Sequence, residues 1–118
     1  MGMTVLIVDD HPSFRASART LLEAEGYEVV GEAENAAKAL RAVRELQPDL
    51  VLLDVQLPDL DGFEVSEQLR KLDHPPVVVL TSSRDGADYG RCIDQCGACG
   101  FVPKGDLSGA AIAALLAA

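Results

Sequence analysis

The stretch "VLIVDDHPSF", residues 5–14, runs from four apolar residues directly into two adjacent aspartates. The apolar, β-branched run predicts a strand that is covered on both of its faces. Asp9 and Asp10 then lie where this buried strand meets water. Because two neighbouring carboxylates repel each other, and more strongly as the local dielectric falls, the pair indicates a site with a compensating cation.

The rest of the chain alternates short apolar runs with helix-like segments. The predicted strands are TVLIV (4–8), EVVGEA (28–33), LVLLDV (50–55), VVVL (77–80) and GFVP (100–103). The predicted helices lie in PSFRASARTLLEAEG (12–26), NAAKALRAVRELQPD (35–49), GFEVSEQLRKLD (62–73), DGADYGRCIDQCG (85–97) and DLSGAAIAALLAA (106–118). Five such units predict an α/β fold, flavodoxin-like, with one doubly wound five-stranded parallel sheet in the order 2-1-3-4-5.

Local signals also predict where the first two helices begin and end. Pro12 suits a first helical turn, and Gly26 suits the turn after the last one. Asn35 is a suitable N-cap for the second helix, whose end is marked by Pro48. We expect Leu46 to lie on the apolar face of that second helix.

Composition narrows the class of protein. The chain has 118 residues, enough for one domain with a real core, and 48% of them are hydrophobic. The formal net charge of −9 argues against nucleic-acid binding by this segment alone, since phosphate contacts need clustered Lys and Arg. We find no targeting leader and no apolar run that could span a membrane, so we expect a cytoplasmic protein.

The three cysteines, Cys92, Cys96 and Cys99, have the spacing C-x3-C-x2-C. An odd count without a signal peptide does not favour a disulfide framework. A metal site would need a fourth ligand, and both histidines, His11 and His74, are far away in the sequence. The favoured interpretation is therefore that the cysteines serve packing.

Polar groups follow four of the five predicted strands. They are Asp9 and Asp10 after the first strand, Asp54 at the end of the third, Thr81 and Ser82 after the fourth, and Lys104 after the fifth. The carboxyl ends of parallel strands meet at one edge of a sheet, where such folds bind ligands. Taken singly, each has an ordinary structural explanation, such as a turn aspartate, an N-cap at Asp10 or a solvated lysine. Their occurrence together at one edge favours a functional site.

The chemistry of this set points to phosphoryl transfer. Three converging carboxylates would destabilise one another without a cation, and Mg²⁺ prefers such hard oxygen ligands. A carboxylate can also act as a nucleophile and form an aspartyl phosphate, and Asp54 is the candidate because it ends a central strand. Lys104 and the hydroxyl of Thr81 would then bind the transferred phosphoryl oxygens.

Four segments together resemble the receiver domain of bacterial two-component response regulators. They are "VLIVDDHPSFR", "PDLVLLDVQLPDLDGFEV", "PPVVVLTSS" and "GACGFVPK", in the family's order and spacing, and the likeness runs from Thr4 to Leu116. The opening "DDHP" and "VVGEAENAAKAL" are most similar to the subfamily whose receivers precede a LuxR-type helix-turn-helix. We find no such domain in these 118 residues, so the chain is either a stand-alone receiver or one excised from a longer regulator, and we favour the excised receiver.

The resemblance implies a phosphorylation-dependent switch that catalyses only its own phosphorylation and dephosphorylation. Asp54 would accept a phosphoryl group from a sensor histidine kinase. Mg²⁺ would be bound by Asp9, mainly through water, by the side chains of Asp10 and Asp54, and by the backbone carbonyl of Gln56. Phe101 matches the aromatic switch position.

The switch implied by the resemblance would alter the face formed by the fourth helix, fifth strand and fifth helix, where partners or a second copy dock. Pro58 and Gly62 match the family's turn after the acceptor. Two points depart from the family pattern. Counting forward from Pro76 makes Thr81 the switch hydroxyl, whereas counting back from Lys104 makes it Ser82; we favour Thr81. The residue after Lys104 is Gly105, where many relatives have proline.

Three other functions compete with this interpretation. A flavodoxin-like electron carrier would need a hydroxyl-rich phosphate loop after the first strand, and "DDHPS" offers carboxylates instead. An aspartate phosphohydrolase has a second Asp two residues after its nucleophile, where this chain has Gln56. A receiver that only binds proteins, without phosphorylation, is the remaining alternative, although such receivers usually lose an acidic residue that is present here.

Overall fold

The computed structural model describes residues 2–83, 98 and 100–117. The predicted fourth helix (85–97) and all three cysteines lie outside the described residues. The strands are β1 (Thr4–Val8), β2 (Glu28–Ala33), β3 (Leu50–Asp54), β4 (Val77–Ser82) and β5 (Gly100–Pro103). The helices described are α1 (Pro12–Ala24), α2 (Ala36–Leu46), α3 (Gly62–Arg70) and α4 (Gly109–Ala117), with a 3₁₀ turn over Lys104–Asp106.

The five strands form one parallel sheet in the order β2-β1-β3-β4-β5, which confirms the predicted topology. The predicted strand limits hold closely, although β3 ends one residue earlier than predicted and β4 extends to Ser82. The order places β1, β3 and β4 side by side, so the polar residues at their carboxyl ends become neighbours. Asp54 pairs in register with Thr81 across β3 and β4.

The sheet is covered on both faces, and side chains alternate between the two faces along each strand. Leu6 and Leu53 pack with α2 and α3 on one face. Ile7 and Leu52 pack with α1 and α4 on the other. The central strand β3 is buried along its whole length, which explains why its sequence is an unbroken apolar run that ends in one carboxylate.

The helix-end signals are largely confirmed. Pro12 opens α1, and Gly26 follows its end with φ +95°, a conformation that favours glycine. The side chain of Asn35 accepts a hydrogen bond from the Lys38 N–H and so caps α2. Leu46, however, is 45% exposed, so the side chain that was predicted to face the core is only partly buried. It lies at the last turn of α2 beside Gly31 of the edge strand, and among the described residues no further strand covers it.

The loop after β3 is held by the N-terminus of α2. The two carboxylate oxygens of Asp59 accept hydrogen bonds from the N–H groups of Ala36 and Ala37, at 2.8 and 3.0 Å. These bonds, the Ala36 bond first, hold the pKa of Asp59 below its usual value despite an opposing effect of burial. The loop that begins at Asp54 is thereby tied to a second element of the fold.

None of the described helices is long and apolar enough to cross a lipid bilayer.

Gly62 allows α3 to begin directly against the end of β3. Its N–H donates to the Val55 carbonyl at 2.7 Å. A Cβ atom at this position would lie 2.5 Å from the carbonyl oxygen of Asp54 and 2.8 Å from the Cα of Val55. Both contacts are with backbone, so no side-chain rotation would relieve them.

We expect Gly62→Ala to lower the free energy of unfolding by about 1–3 kcal/mol, because the methyl group forces the backbone after Asp54 to move. Urea denaturation measures this change. Gly105→Ala is the matched control, since a Cβ atom there has nothing within 4 Å. Equal stability of the two variants would contradict the role assigned to Gly62.

Candidate functional site at the carboxyl edge of the sheet

Three predicted carboxylates meet at the carboxyl edge of the sheet. Asp9, Asp10 and Asp54, with His11, each offer one ligand atom, and these four atoms lie within 4.8 Å of one another. Asp9 and Asp54 are buried, at 0% and 2% exposed, whereas Asp10 and His11 face solvent. The site therefore has a buried acidic floor and an open rim.

Lys104 brings the fifth strand to this site. Its Nζ lies 2.6 Å from Oδ2 of Asp9 and 3.4 Å from Oδ2 of Asp54. The same nitrogen is 4.5 Å from the centre of the Phe14 ring, a cation–π distance that fixes it from the α1 side. Burial opposes the charged form of Lys104, but the hydrogen bond with Asp9 and the charges of Asp54 and Asp9 outweigh it, so its pKa is raised.

The carboxyl group of Asp54 has a raised pKa, so it keeps its proton to a higher pH than an ordinary aspartate does. The pKa of its carboxyl group is raised from 3.8 to about 6, chiefly by burial and in smaller part by the charge of Asp9. The Gln56 N–H, which donates to Oδ1 of Asp54 at 3.1 Å, opposes the rise, as does Lys104. Asp54 is thus a carboxylate whose charge is costly without a further cation.

Thr81 is the hydroxyl residue that lies beside Asp54. It pairs in register with Asp54, and residues paired in this way point to the same face of a sheet. Its Oγ1 is buried and has no hydrogen-bond partner among the described residues. Ser82 pairs with Pro103 and, as the next residue in the strand, points to the opposite face. This geometry favours Thr81 over Ser82, without showing which hydroxyl acts.

The loop that carries the aspartate pair is held from α1 and β2. The guanidinium of Arg15 donates to the backbone carbonyl of Asp9 at 2.6 Å. Arg15 also pairs with Glu32 at 3.0 Å, and Arg19 pairs with the same carboxylate at 2.8 Å. These contacts, that of Arg19 first, lower the pKa of Glu32. The N-cap of α1 is His11, without a side-chain cap bond, so Asp10 does not cap that helix.

Sequence reasoning did not assign a role to His11, Phe14 or Arg15. Each lies within six residues of Asp9, on the same loop and first helix, and that proximity was the available signal. Their contacts depend on how α1 leaves the sheet, which spacing alone does not define.

Gln56 and Phe101 are the two remaining residues to which the resemblance gave a role, and their surroundings in the structure are as follows. Gln56 is exposed, directly after Val55, and bridges to Asp61 across the loop. Phe101 is half-buried in β5, pairs with Leu80 and packs against the core on the α2–α3 face.

The residues fit a hard divalent cation. Three carboxylates face one lysine, so the cluster keeps an excess of negative charge, most of it at buried groups. Lys104 contacts the Oδ2 atoms of Asp9 and Asp54, which leaves other carboxylate oxygens as donors. Oxygen donors with excess negative charge are the set that Mg²⁺ prefers.

Comparison with known proteins agrees with this geometry. The response regulator receiver domain family matches residues 5–114. The virulence-factor transcription regulator BvgA of Bordetella pertussis is 46% identical over 101 residues, which are 85% of this chain and 48% of BvgA. The DNA-binding transcriptional activator EvgA of Escherichia coli K12 is 35% identical over 116 residues, 98% of this chain and 57% of EvgA. The chain spans about half the length of these relatives.

Two solved structures show the same fold. A two-component response regulator of the LuxR family from Aurantimonas superposes with a TM-score of 0.87 at 32% identity, covering 99% of this chain and 87% of that one. The signal receiver domain of NarL from Mycobacterium tuberculosis gives the same TM-score and identity, covering 99% and 98%. The fold, the matched residues 5–114 and these likenesses lead to one conclusion: the chain belongs to the response regulator receiver domain family of two-component signalling.

Proposed function

We propose that this domain is a phosphorylation switch in which Asp54 accepts a phosphoryl group from a sensor histidine kinase. One observation carries the proposal: Asp54, a buried carboxylate that ends the central strand, lies close to Lys104 and Asp9 and is paired in register with Thr81, whose buried hydroxyl has no hydrogen-bond partner among the described residues. Membership of the receiver family supports a histidine kinase as the partner.

The transfer requires little covalent chemistry from the protein. A carboxylate oxygen of Asp54 forms a bond to phosphorus as the P–N bond of the phosphohistidine breaks, and the electron pair of that bond stays on the imidazole nitrogen. Positioning and neutralisation of charge supply most of the catalysis of such a transfer. Lys104, already held beside Asp54, would bind an oxygen of the transferred group.

Mg²⁺ is the proposed cofactor, bound by Asp9, Asp10 and Asp54 and by the backbone carbonyl of Gln56. Its charge would offset that of the carboxylates and of the incoming phosphoryl group. The raised pKa of Asp54 makes such a cation important, because the nucleophile must be ionised to react.

The hydroxyl of Thr81 would bind a phosphoryl oxygen and so link Asp54 to the neighbouring strand. Phe101 lies one strand further on, paired with Leu80, the residue before Thr81. A shift of Thr81 toward the phosphoryl group would therefore change the space into which Phe101 can turn. The proposed output is a change in the face formed by the predicted fourth helix, β5 and α4, where a partner or a second copy would dock.

The relatives are transcription regulators about twice as long as this chain. We therefore assign these 118 residues to the receiver alone, and place DNA binding in a further domain of the full regulator, acting in the cytoplasm. A receiver that binds partners without phosphorylation is the competing function. The presence of Asp54, both adjacent aspartates and Lys104 in one cluster favours the phosphorylated switch.

Acetyl phosphate with Mg²⁺ should add one phosphoryl group to the protein, as measured by intact mass. Asp54→Asn should abolish the addition, because the amide lacks the nucleophilic oxygen. Asp73→Asn, which removes an exposed carboxylate outside the site, is the control and should react like the wild type. A folded wild-type protein that acquires no phosphoryl group even from a histidine kinase would establish the competing function.

Without metal, Asp54 should make stability depend on pH. Its pKa is raised in the folded state, so its contribution to stability is fully present below about pH 4 and is lost as pH rises through about 6. In EDTA, Asp54→Asn should therefore be more stable than the wild type at pH 8, by roughly 2–3 kcal/mol, and little different at pH 4. Urea denaturation across this range tests the effect, and an equal difference at both pH values would refute it.

Thr81→Val and Ser82→Ala distinguish the two candidate hydroxyls. With beryllofluoride as the phosphoryl mimic, the NMR signals of the Phe101 ring should shift in the wild type and in Ser82→Ala. The shift should be lost in Thr81→Val, which keeps the shape but not the hydroxyl. The opposite pattern would assign the switch to Ser82.

A further inference from the structure

His11 follows the aspartate pair directly and turns its ring back onto both carboxylates. Its Nδ1 lies 3.0 Å from Oδ1 of Asp9 and 3.1 Å from Oδ1 of Asp10. The side chain is 64% exposed, so the ring lies at the solvent-facing rim of the site. A nitrogen donor is thereby added to a cluster of oxygen donors.

The two distances from His11 Nδ1 to these carboxylate oxygens are compatible with a shared coordination shell. Ligand atoms at about 2.0–2.1 Å from an ion in octahedral geometry are about 3.0 Å from their neighbours in the shell. Nδ1 of His11 lies at that distance from each of the two carboxylate oxygens, which is also the distance of a hydrogen bond; a metal ion would take the place of the proton between Nδ1 and these oxygens. Its backbone N–H also donates to Oδ1 of Asp9 at 2.8 Å, which fixes the position of the residue independently of the ring.

Two further features of this edge support a ligand-binding site. The Oγ1 of Thr81 is buried on the same side as Asp54 and lacks a partner among the described residues. Lys104 contacts Asp9 and Asp54 through their Oδ2 atoms, whereas His11 contacts Asp9 through Oδ1. The lysine and the histidine thus approach Asp9 through different oxygens, and His11 lies on the side shared with Asp10.

We propose that His11 is a nitrogen ligand of the metal site, so that the site binds nitrogen-preferring divalent transition metals as well as Mg²⁺. Imidazole suits Ni²⁺, Cu²⁺ and Zn²⁺, whereas carboxylate, carbonyl and water ligands suit Mg²⁺ and Mn²⁺. The mixed set therefore widens the range of metals that the switch accepts. This inference rests on the proposed metal site and adds to it one ligand and a class of ions.

The competing role for His11 is that of a cation that neutralises Asp9 and Asp10. The two roles predict opposite effects of removing the ring. A ligand stabilises a bound transition metal, so its loss weakens binding; a competing cation opposes every metal, so its loss strengthens the binding of all of them.

Calorimetric titration of the whole 118-residue protein with Ni²⁺ and, separately, with Mg²⁺ tests the proposal. His11→Gln should weaken Ni²⁺ binding at least about 10-fold, since loss of a group that only hydrogen-bonds to a metal ligand already has an effect of this size. The same variant should change Mg²⁺ binding less than about 3-fold. Asp10→Asn should weaken both metals. His74→Gln removes the other histidine, which is exposed in the loop before β4, and should change neither.

Three results would overturn the inference. Two concern His11→Gln: unchanged Ni²⁺ binding, or stronger binding of both metals. The third is Ni²⁺ binding that Asp10→Asn leaves intact, because the ion would then be bound elsewhere. Far-UV circular dichroism confirms that each variant is folded. Ni²⁺ binding that depends on His11, in a protein that does not bind Mg²⁺, would support the inference and contradict the Mg²⁺ of the proposed function. Failure of the His11 inference and failure of the proposed Mg²⁺ site therefore give different results.

Discussion

The burial of two carboxylates at one edge of the sheet is the constraint on which the rest of this structure depends. Asp9 and Asp54 are almost inaccessible to solvent. Among the described residues, Lys104 is the cation that lies close to both carboxylates and offsets their repulsion. Burial is the main reason that the pKa of Asp54 rises to about 6. Burying both charges lowers the stability of the fold. A cation bound beside them would stabilise the site, and the proposed phosphoryl transfer uses such a cation.

The scaffold around the site keeps the carboxylates in place from outside the sheet. Arg15 binds the backbone carbonyl of Asp9, and the N-terminus of α2 binds the side chain of Asp59 in the loop after Asp54. Gly62 lets α3 start against the backbone of Asp54. Groups in the site are therefore positioned by bonds to helices as well as by the strands that carry them, which is what the proposed phosphoryl transfer would need.

The residues of the proposed switch and the acidic site lie on three adjacent strands, β3, β4 and β5. Thr81 lies beside Asp54, and Phe101 lies beside Leu80 on the next strand. Because side chains alternate along a strand, Thr81 faces α1 and α4 with Asp54, whereas Phe101 packs on the α2–α3 face. In the proposed switch, a movement at Asp54 would reach the opposite face of the sheet through a single residue step along β4, from Thr81 to Leu80.

The sequence by itself determined the topology and most of the site. Apolar runs alternating with helical segments predicted the parallel sheet and its order, and polar residues at four of the five strand ends predicted the edge at which Asp9, Asp54 and Lys104 meet. Only the tertiary structure decided which oxygens Lys104 contacts, that Thr81 rather than Ser82 shares a face with Asp54, and that His11 turns back onto the carboxylates. The reason is physical: periodicity specifies which residues reach an edge, whereas distances and side-chain direction depend on strand register and on the angle at which α1 leaves the sheet.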